Sequence, residues 1–183
     1  MSYLIQKEDT SVTDRRNFRS AAMEAGIQKA IKSGLGDRRQ LITRGFTNIR
    51  DAGAVLDEWR SAALAVAGNE YSVFQAVAAP VLAANKVAVF YMVQVETVPL
   101  PVSLLRCRYG GLAGNIALEF DLEQLASAWE MVGYFSEPFV VGPTGIFAIN
   151  VVARTPATLV LAQVELGGFV IEPLGQTLSG NAG

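Results

Sequence analysis

The side chains best suited to acid–base chemistry in this sequence are carboxylates, because the chain contains no histidine. That absence excludes Ser-His-Asp triads, Cys-His dyads and the usual zinc ligand sets. A pair of carboxylates could still hydrolyse a glycosidic bond. Their spacing selects no pair, however, so we expect them to cap elements and solvate strand ends, and we predict no catalytic residue and no enzyme activity. The acids in question are Glu119, Asp121, Glu137, Glu165 and Glu172.

Motifs for cofactors and metals are missing as well. Residues 110–115 (GGLAGN) are followed by a β-type run instead of a Lys-Ser/Thr pair, which predicts a turn rather than a phosphate loop. No run of acids has the spacing of a calcium-binding loop. Cys107 is the only cysteine, so no disulfide forms within the chain, and we expect its thiol to pack as a small apolar side chain. The sequence therefore predicts no cofactor and no metal site.

The clearest chemical feature is an excess of basic residues near the N-terminus. Eleven of the fifteen Lys and Arg residues lie in the first sixty positions, and residues 1–50 carry ten basic against five acidic side chains. Such a segment could contact nucleic acid or anionic lipid, with a salt dependence set by the number of phosphates contacted. The alternative is a solvated helix face. The candidate contacts with an anionic partner are Arg15, Arg16, Arg19, Lys29, Lys32, Arg38, Arg39, Arg44 and Arg50.

The elements that carry these residues form a partly helical N-terminal arm, which we assign to residues 1–68. The first ten residues show no period and predict an extended tail. From a cap at Thr13 or Asp14, apolar residues recur at three- and four-residue spacing up to Gly34. This pattern predicts an amphipathic helix that needs a partner surface. A second helix is predicted over Ala54–Val66.

Residues 69–183 switch to the period-two pattern of β-strands. Val87–Glu96 is the clearest example, and because both of its faces are apolar at the start, we expect it to be buried on two sides. A short helix is predicted from Asp121 to Trp129 or Met131. The predicted strands are Tyr71–Val77, Val87–Glu96, Val102–Tyr109, Ile116–Phe120, Phe139–Val141, Ile146–Ala153, Leu159–Leu166 and Phe169–Ile171.

These elements predict a mainly β fold. Eight antiparallel strands with one short inserted helix are typical of an antiparallel sandwich or jelly roll, here preceded by the partly helical N-terminal arm. The alternative is a seven-stranded immunoglobulin-like sandwich without its usual cysteine pair. We place the boundary near Gly68, with the arm at 1–68 and the β domain at 69–183.

The composition of the β-patterned part favours self-association. The chain is 51% apolar and only 17% charged, and strand edges without Lys or Glu invite pairing with a neighbour. The start of the chain is polar within seven residues, so we expect no export by a signal peptide. The longest uncharged stretch, Pro138–Ala153, has sixteen residues, whereas a membrane-spanning helix needs about twenty. We therefore predict no transmembrane segment.

This layout of a basic, partly helical arm, eight β-type runs and one inserted helix resembles the small single jelly-roll coat proteins of viruses, tailless bacteriophages included. The resemblance implies a virion structural protein, a capsid or shell subunit that self-assembles through its β domain. Its arm would contact neighbouring subunits or the particle interior. The implied partners are further copies of the chain and other virion proteins. The implied location is the virion, and the host cytoplasm during assembly. No site residue follows from the resemblance.

A second hypothesis is a carbohydrate- or ligand-binding β-sandwich. Trp129, Tyr134 and the loop near Asn115 would then form its pocket. The alternative role for Trp129 is a core residue on the short predicted helix, because a large aromatic side chain is more often buried than solvent-exposed.

Overall fold

Two antiparallel β-sheets, with one long helix on the outside, form the fold of this chain in a computed structural model. The structure describes residues 2–45, 49–51, 54–56, 59–63, 66–72, 81–95, 100–125, 130–154 and 161–175. For 49–51, 54–56, 59–63 and 161–163 it describes the backbone alone.

One helix and twelve strands make up the described part of the chain. Three turns of 3-10 helix, Lys7–Asp9, Arg38–Gln40 and Leu122–Leu125, lie between these main elements. In chain order, the helix and strands are β1 (Leu4–Gln6), α1 (Val12–Lys32), β2 (Leu41–Gly45), β3 (Ile49–Asp51), β4 (Ala54–Leu56), β5 (Trp59–Ala63), β6 (Glu70–Ser72), β7 (Val87–Val95), β8 (Val102–Tyr109), β9 (Ile116–Asp121), β10 (Val132–Val141), β11 (Phe147–Ala153) and β12 (Leu161–Pro173).

The strand order is that of a jelly roll. One sheet runs β5-β12-β7-β10, and the other runs β6-β11-β8-β9. If the eight strands from β5 to β12 are counted from one to eight, the sheets read 1-8-3-6 and 2-7-4-5, and the strand pairs within them are antiparallel. This alternation between two sheets is the jelly-roll connection pattern. The predicted mainly β, antiparallel sandwich is therefore confirmed.

Strand β12 is long enough to carry two partners on one edge. Its first half pairs with β5 and its second half with β2, while β7 pairs along the other edge. The prediction of two strands here, separated by Gly167 and Gly168, is wrong. The glycines form a bulge at which the register with β7 shifts, and Gly167 leaves room for Met92, whose Cε would lie 2.6 Å from an added Cβ.

The predicted helix over Ala54–Val66 is also wrong. The described residues of this stretch form β4, in a hairpin with β3, and β5, which pairs with β12. Helical spacing of apolar residues expresses only a weak local preference. Pairing with a strand about a hundred residues further along the chain overrides it.

The first sheet gains a strand from the start of the chain. The predicted extended tail includes β1, which pairs with β10. Strand β10 itself begins at Val132, seven residues before the predicted Phe139–Val141. Its register with β7 shifts between Tyr134 and Phe139, a stretch that includes Pro138. Proline has no N–H to donate to a ladder, which accounts for an irregularity inside an otherwise continuous strand.

The predicted N-terminal amphipathic helix is confirmed as α1. Its cap is Ser11 rather than Thr13 or Asp14. The Asp14 N–H donates to Ser11 Oγ over 3.1 Å, and the Ser11 N–H donates to the Asp14 carboxylate over 2.9 Å. This reciprocal capping box satisfies two backbone donors at the start of the helix.

Helix α1 packs on the outer face of the first sheet. Gly26 sets the close approach, because an added Cβ there would lie 2.4 Å from both Val89 and Ile171. The sheet is therefore covered on both faces, and the predicted two-sided burial of β7 is confirmed by five of its residues with no exposed surface. The buried residues at this helix–sheet contact are Ala22, Ile27, Ala30, Val87, Val89, Phe169 and Ile171.

The main core lies between the two sheets. Aromatic rings bridge it, with centroid distances of 4.3 Å between Phe120 and Phe135 and 5.8 Å between Phe90 and Phe147. Cys107 on β8 is fully buried in this core, and burial raises the pKa of its thiol well above the ordinary value. The thiol is therefore protonated at neutral pH and packs as a small apolar group, as predicted.

The predicted inserted helix begins as one turn of 3-10 helix at Leu122–Leu125. The Glu123 N–H donates to Asp121 Oδ1 over 2.8 Å, so Asp121 caps this turn. The predicted continuation to Trp129 or Met131 falls on residues 126–129, which lie outside the described residues.

Elements from both sides of Gly68 build one sheet. Strands β1, β2 and β5 precede Gly68, and each pairs with β10 or β12, which follow it. Helix α1 packs across β7, β10 and β12. The boundary between an arm at 1–68 and a domain at 69–183 stays a prediction, but the described part of the arm lies against the β-sandwich of its own chain.

Candidate functional site

The nine predicted basic residues fall into separate groups. Arg15, Arg16 and Arg19 lie in the first two turns of α1, whereas Lys29 and Lys32 lie in its last turn. At 1.5 Å per residue, Arg15 and Lys29 are about 21 Å apart along the helix axis. The helix therefore carries two basic patches rather than one continuous stripe.

Two of the remaining predicted contacts are occupied by acids of the same chain. Arg38 pairs with Glu24 over 2.7 Å. Arg44 on β2 pairs with Glu172 on β12 over 2.8 Å, and Glu172 is only 2% exposed. Arg44 is thus a partner for a buried carboxylate, so it is not free for an outside anion. Arg39 is exposed, and the side chain of Arg50 lies outside what the structure describes.

The first basic patch surrounds a cavity of about 290 Å³ between the start of α1 and the sheet. Arg15, Arg16 and Arg19 line it from the helix. Tyr91 of β7 and Tyr134 of β10 line it from the sheet. The sequence separates the arginines from these tyrosines by more than seventy residues, so only the packing of α1 on the sheet brings them together.

A ladder of aromatic rings fixes the two tyrosines. Phe18 stacks on Tyr134 with a centroid distance of 5.4 Å, Tyr134 on Tyr91 at 6.3 Å, and Tyr91 on Phe169 at 5.2 Å. The Arg19 guanidinium lies 5.5 Å from the Phe169 ring centre, a cation–π distance. Burial raises the pKa of Tyr91, and the nearby charge of Arg19 opposes the rise only in part. The Tyr91 hydroxyl is therefore neutral at physiological pH and can donate a hydrogen bond.

Three of the five predicted acids line a second, larger groove of about 730 Å³. Glu119 and Asp121 reach it from β9, and Glu137 reaches it from β10. Each already has a partner, because Arg106 pairs with Glu119, the Glu123 N–H donates to Asp121, and Ser2 donates to Glu137. Glu172 is the buried partner of Arg44, and Glu165 also has a partner.

A cluster that was not predicted lies on the outer face of the second sheet, around Glu70 of β6. Arg106 and Arg108 of β8 donate to its carboxylate, the latter over 2.8 Å, and Asn150 of β11 donates over 3.1 Å. Partial burial alone would raise the pKa of Glu70, but these hydrogen bonds together outweigh it and lower that pKa to about 2. The cluster ties three neighbouring strands together through charged side chains.

Apolar side chains gather at one end of the sandwich, which we call the apolar end. The β10–β11 turn places the end of β10 beside the start of β11, and Tyr109 at the end of β8 pairs with Phe147. The end of β12 lies opposite the start of β7 in the same region. Five of the eight exposed large apolar side chains in the described part of the chain are here: Tyr109, Leu112, Ile116, Ile146 and Leu174.

The structure separates the residues of the predicted carbohydrate pocket. Tyr134 is 7% exposed and lies in the aromatic ladder beneath α1. Asn115 is exposed in the β8–β9 turn at the apolar end. Trp129 lies outside the described residues. Tyr134 and Asn115 therefore do not share a pocket.

Comparison with known proteins yields no match among family models, curated proteins or solved structures. Within the described ranges, no group of three Cys, Asp or Glu side chains is placed to hold a metal ion. Across the same part of the chain, α1 and the shorter helices are not long and apolar enough to cross a membrane. Residues and geometry alone therefore bear on the function.

Proposed function

We propose that this chain is a virion structural protein, a capsid or shell subunit that assembles with further copies of itself. The jelly-roll order of the eight strands from β5 to β12 supports the resemblance from which this proposal starts. A fold alone never establishes a function. The proposal therefore rests on a surface feature, the apolar end.

The apolar end carries the proposal because its exposed side chains are concentrated. Leu112, Ile146 and Leu174 expose 48%, 45% and 66% of their surfaces, and Tyr109 and Ile116 are exposed at the same end. Scattered exposed apolar residues are normal on a monomer, whereas their concentration at one end of the molecule is typical of a contact surface. Burial of these side chains against a neighbouring subunit would remove apolar area from water and stabilise an assembly.

The strand edges contribute less to the proposed assembly than the composition of the β-patterned part suggested. Strand β9, which ends the second sheet among the described strands, points Glu119 and Asp121 outward. Charged side chains on an edge strand oppose pairing with another edge. The proposed contacts therefore run through the apolar end, and the polar face of α1 is left for neighbours or the particle interior.

Particle formation by the full chain tests this proposal. We expect light scattering and negative-stain electron microscopy to find rings or closed particles for the unmodified chain. The double variant Leu112→Asp with Ile146→Asp should remain a monomer, because both side chains are exposed and the charges oppose association without disturbing the core. Val66→Asp is the control, since Val66 is 51% exposed near the opposite end of the sandwich. Equal assembly of the double variant and the control would contradict the proposal.

The groove near β9 favours a second candidate function, binding of a carbohydrate. Tyr3, which is 57% exposed, lines the groove beside the carboxylates of Glu119, Asp121 and Glu137. An exposed aromatic face next to hydrogen-bond acceptors suits a sugar ring. A glycan array should then show binding that Tyr3→Ala abolishes and Val12→Ala leaves unchanged. An array without specific binding would remove this candidate.

A further inference from the structure

The cavity beneath the start of α1 combines strong positive charge from the helix with tyrosine side chains from the sheet. Arg15 and Arg19 are four residues apart and Arg16 and Arg19 three apart, so all three are neighbours on the helix surface. None of them forms an ion pair with a described residue. Like charges at this spacing destabilise a helix unless an anion offsets them.

The acid closest in sequence does not neutralise these arginines. The carboxylate of Asp14 is held by Ser11, which donates from Oγ over 2.6 Å and from its N–H over 2.9 Å. These two hydrogen bonds, from the side chain first and the backbone second, lower the pKa of Asp14. On the other side of Arg15, Glu130 pairs with Lys7. Asp14 and Glu130 are therefore each held by a residue other than the arginines of the cavity.

Tyr134 adds a hydrogen-bonding group to the arginines of the cavity. Its side chain is more than nine-tenths buried and lines the cavity. Its hydroxyl is not among the buried polar atoms that lack a partner, and it remains open to solvent at the cavity. A hydroxyl at this position can donate a hydrogen bond to an anion held by the arginines. The aromatic ladder holds the ring, and with it this hydroxyl, in place.

We propose that this cavity binds a single phosphate group, with Arg15, Arg16 and Arg19 as charged donors and Tyr134 as a neutral donor. Guanidinium groups match phosphate oxygens in geometry and charge. The cavity is small, at about 290 Å³, so it receives one phosphate, either free or at the end of a small molecule. A duplex backbone presents its phosphates along a line and would need a longer track of arginines.

This inference does not depend on the proposed assembly. Phosphate binding can be measured on the full chain in whatever oligomeric state it adopts, and the apolar end lies on other elements. A failure of assembly would therefore leave the phosphate site standing, and a failure of phosphate binding would leave assembly standing.

Isothermal titration of the full chain with inorganic phosphate tests the site. Titrations with glycerol 3-phosphate and with a nucleoside 5′-monophosphate distinguish a free phosphate from a lipid headgroup and a nucleotide. We expect saturable binding of one phosphate per chain. Tyr134→Phe, which keeps the ring contacts, and Arg16→Gln should each weaken binding about tenfold, the size of one hydrogen bond to a charged group.

Lys32→Gln is the matched control, because it removes one positive charge from the other end of the same helix. It should change the affinity less than twofold. Equal weakening by Lys32→Gln and Arg16→Gln would show non-specific attraction and overturn the proposal. Binding by Tyr134→Phe with unchanged affinity, or no saturable binding of any of the three compounds, would overturn it as well. Thermal unfolding of each variant checks that the fold is retained.

Discussion

At the scale of single residues, a partly buried ion pair joins β2 to the end of β12 in the first sheet. Glu172 is buried at the end of β12, where β2 forms the outer strand, and it is held by Arg44 at 2.8 Å and Lys86 at 3.8 Å. The Arg44 Nε and Glu172 Oε1 atoms are close but poorly aligned for a hydrogen bond, so the attraction is chiefly ionic. A buried carboxylate that loses its partner is strongly destabilising.

Replacement of Arg44 by methionine should therefore lower the free energy of unfolding. We expect a loss of about 2 kcal/mol, below the range for fully buried pairs because Arg44 is partly exposed. Urea denaturation at neutral pH measures it, with the exposed Arg39→Met as control. The double variant Arg44→Met with Glu172→Leu should recover most of the loss. A double variant that is less stable than Arg44→Met alone would contradict this account.

Glu70 should make stability depend on pH. Its pKa is lowered from an ordinary value near 4.5 to about 2 in the folded chain. The stabilisation is therefore fully present above about pH 4.5 and is lost as the pH falls toward 2, because the unfolded chain takes up the proton first.

Glu70→Gln should accordingly cost about 2–3 kcal/mol at pH 7 and much less near pH 2. Denaturant unfolding at both pH values measures the difference from the unmodified chain. Glu123→Gln is the control, because Glu123 is half exposed and its ion pair with Arg154 is long at 3.5 Å. A constant penalty for Glu70→Gln at the two pH values would show that the charge of Glu70 is not responsible.

At the scale of elements, the sequence predicted those helices and strands whose signals are local and missed a strand that depends on a distant partner. The period-two runs of β7, β8 and β9 and the amphipathic spacing of α1 are local signals, and they predicted these elements to within one or two residues. Strand β5 shows helical spacing, but its partner β12 is distant in sequence, so the local pattern predicted the wrong element there.

The candidate site was predictable only in part for the same reason. Arg15, Arg16 and Arg19 stand out in the sequence as basic residues, and they were among nine candidates. Tyr91 and Tyr134 look like ordinary strand residues until α1 is placed across β7 and β10. Their role depends on a contact between elements, which no local pattern encodes.

Gly26 should be the residue that most strictly controls this docking. Gly26→Leu raises helix propensity, so any loss of stability must come from the clash with Val89 and Ile171. We expect a loss of about 2–3 kcal/mol in urea denaturation. Ser20→Leu, on the exposed face of the same helix, should be neutral. A neutral Gly26→Leu would mean that α1 packs less closely on the sheet than these distances require.

At the scale of the whole molecule, α1 and the apolar end present two surfaces of different chemistry. The helix covers one sheet of its own chain and presents Arg15, Arg16 and Arg19 at the cavity along that sheet, whereas the apolar end offers side chains that water solvates poorly. The first surface suits an anion and the second a further copy of the chain. These two interactions should respond to salt in opposite ways.

Raising sodium chloride from about 0.05 M to 1 M should therefore leave the proposed assembly intact or strengthen it, because apolar contacts are not screened. Phosphate binding to the α1 cavity should weaken over the same range, because partly exposed charges are screened. Light scattering and titration on the same samples measure both. Assemblies that dissolve in high salt would indicate a charge-based interface in place of the apolar end.

The most direct test of the central claim is the molar mass of the unmodified full chain, measured by light scattering over a wide range of protein concentration. The proposed shell subunit predicts a mass that rises well above that of one chain, with rings or closed particles in the same samples by electron microscopy. A constant mass of 19.6 kDa at every concentration would contradict it.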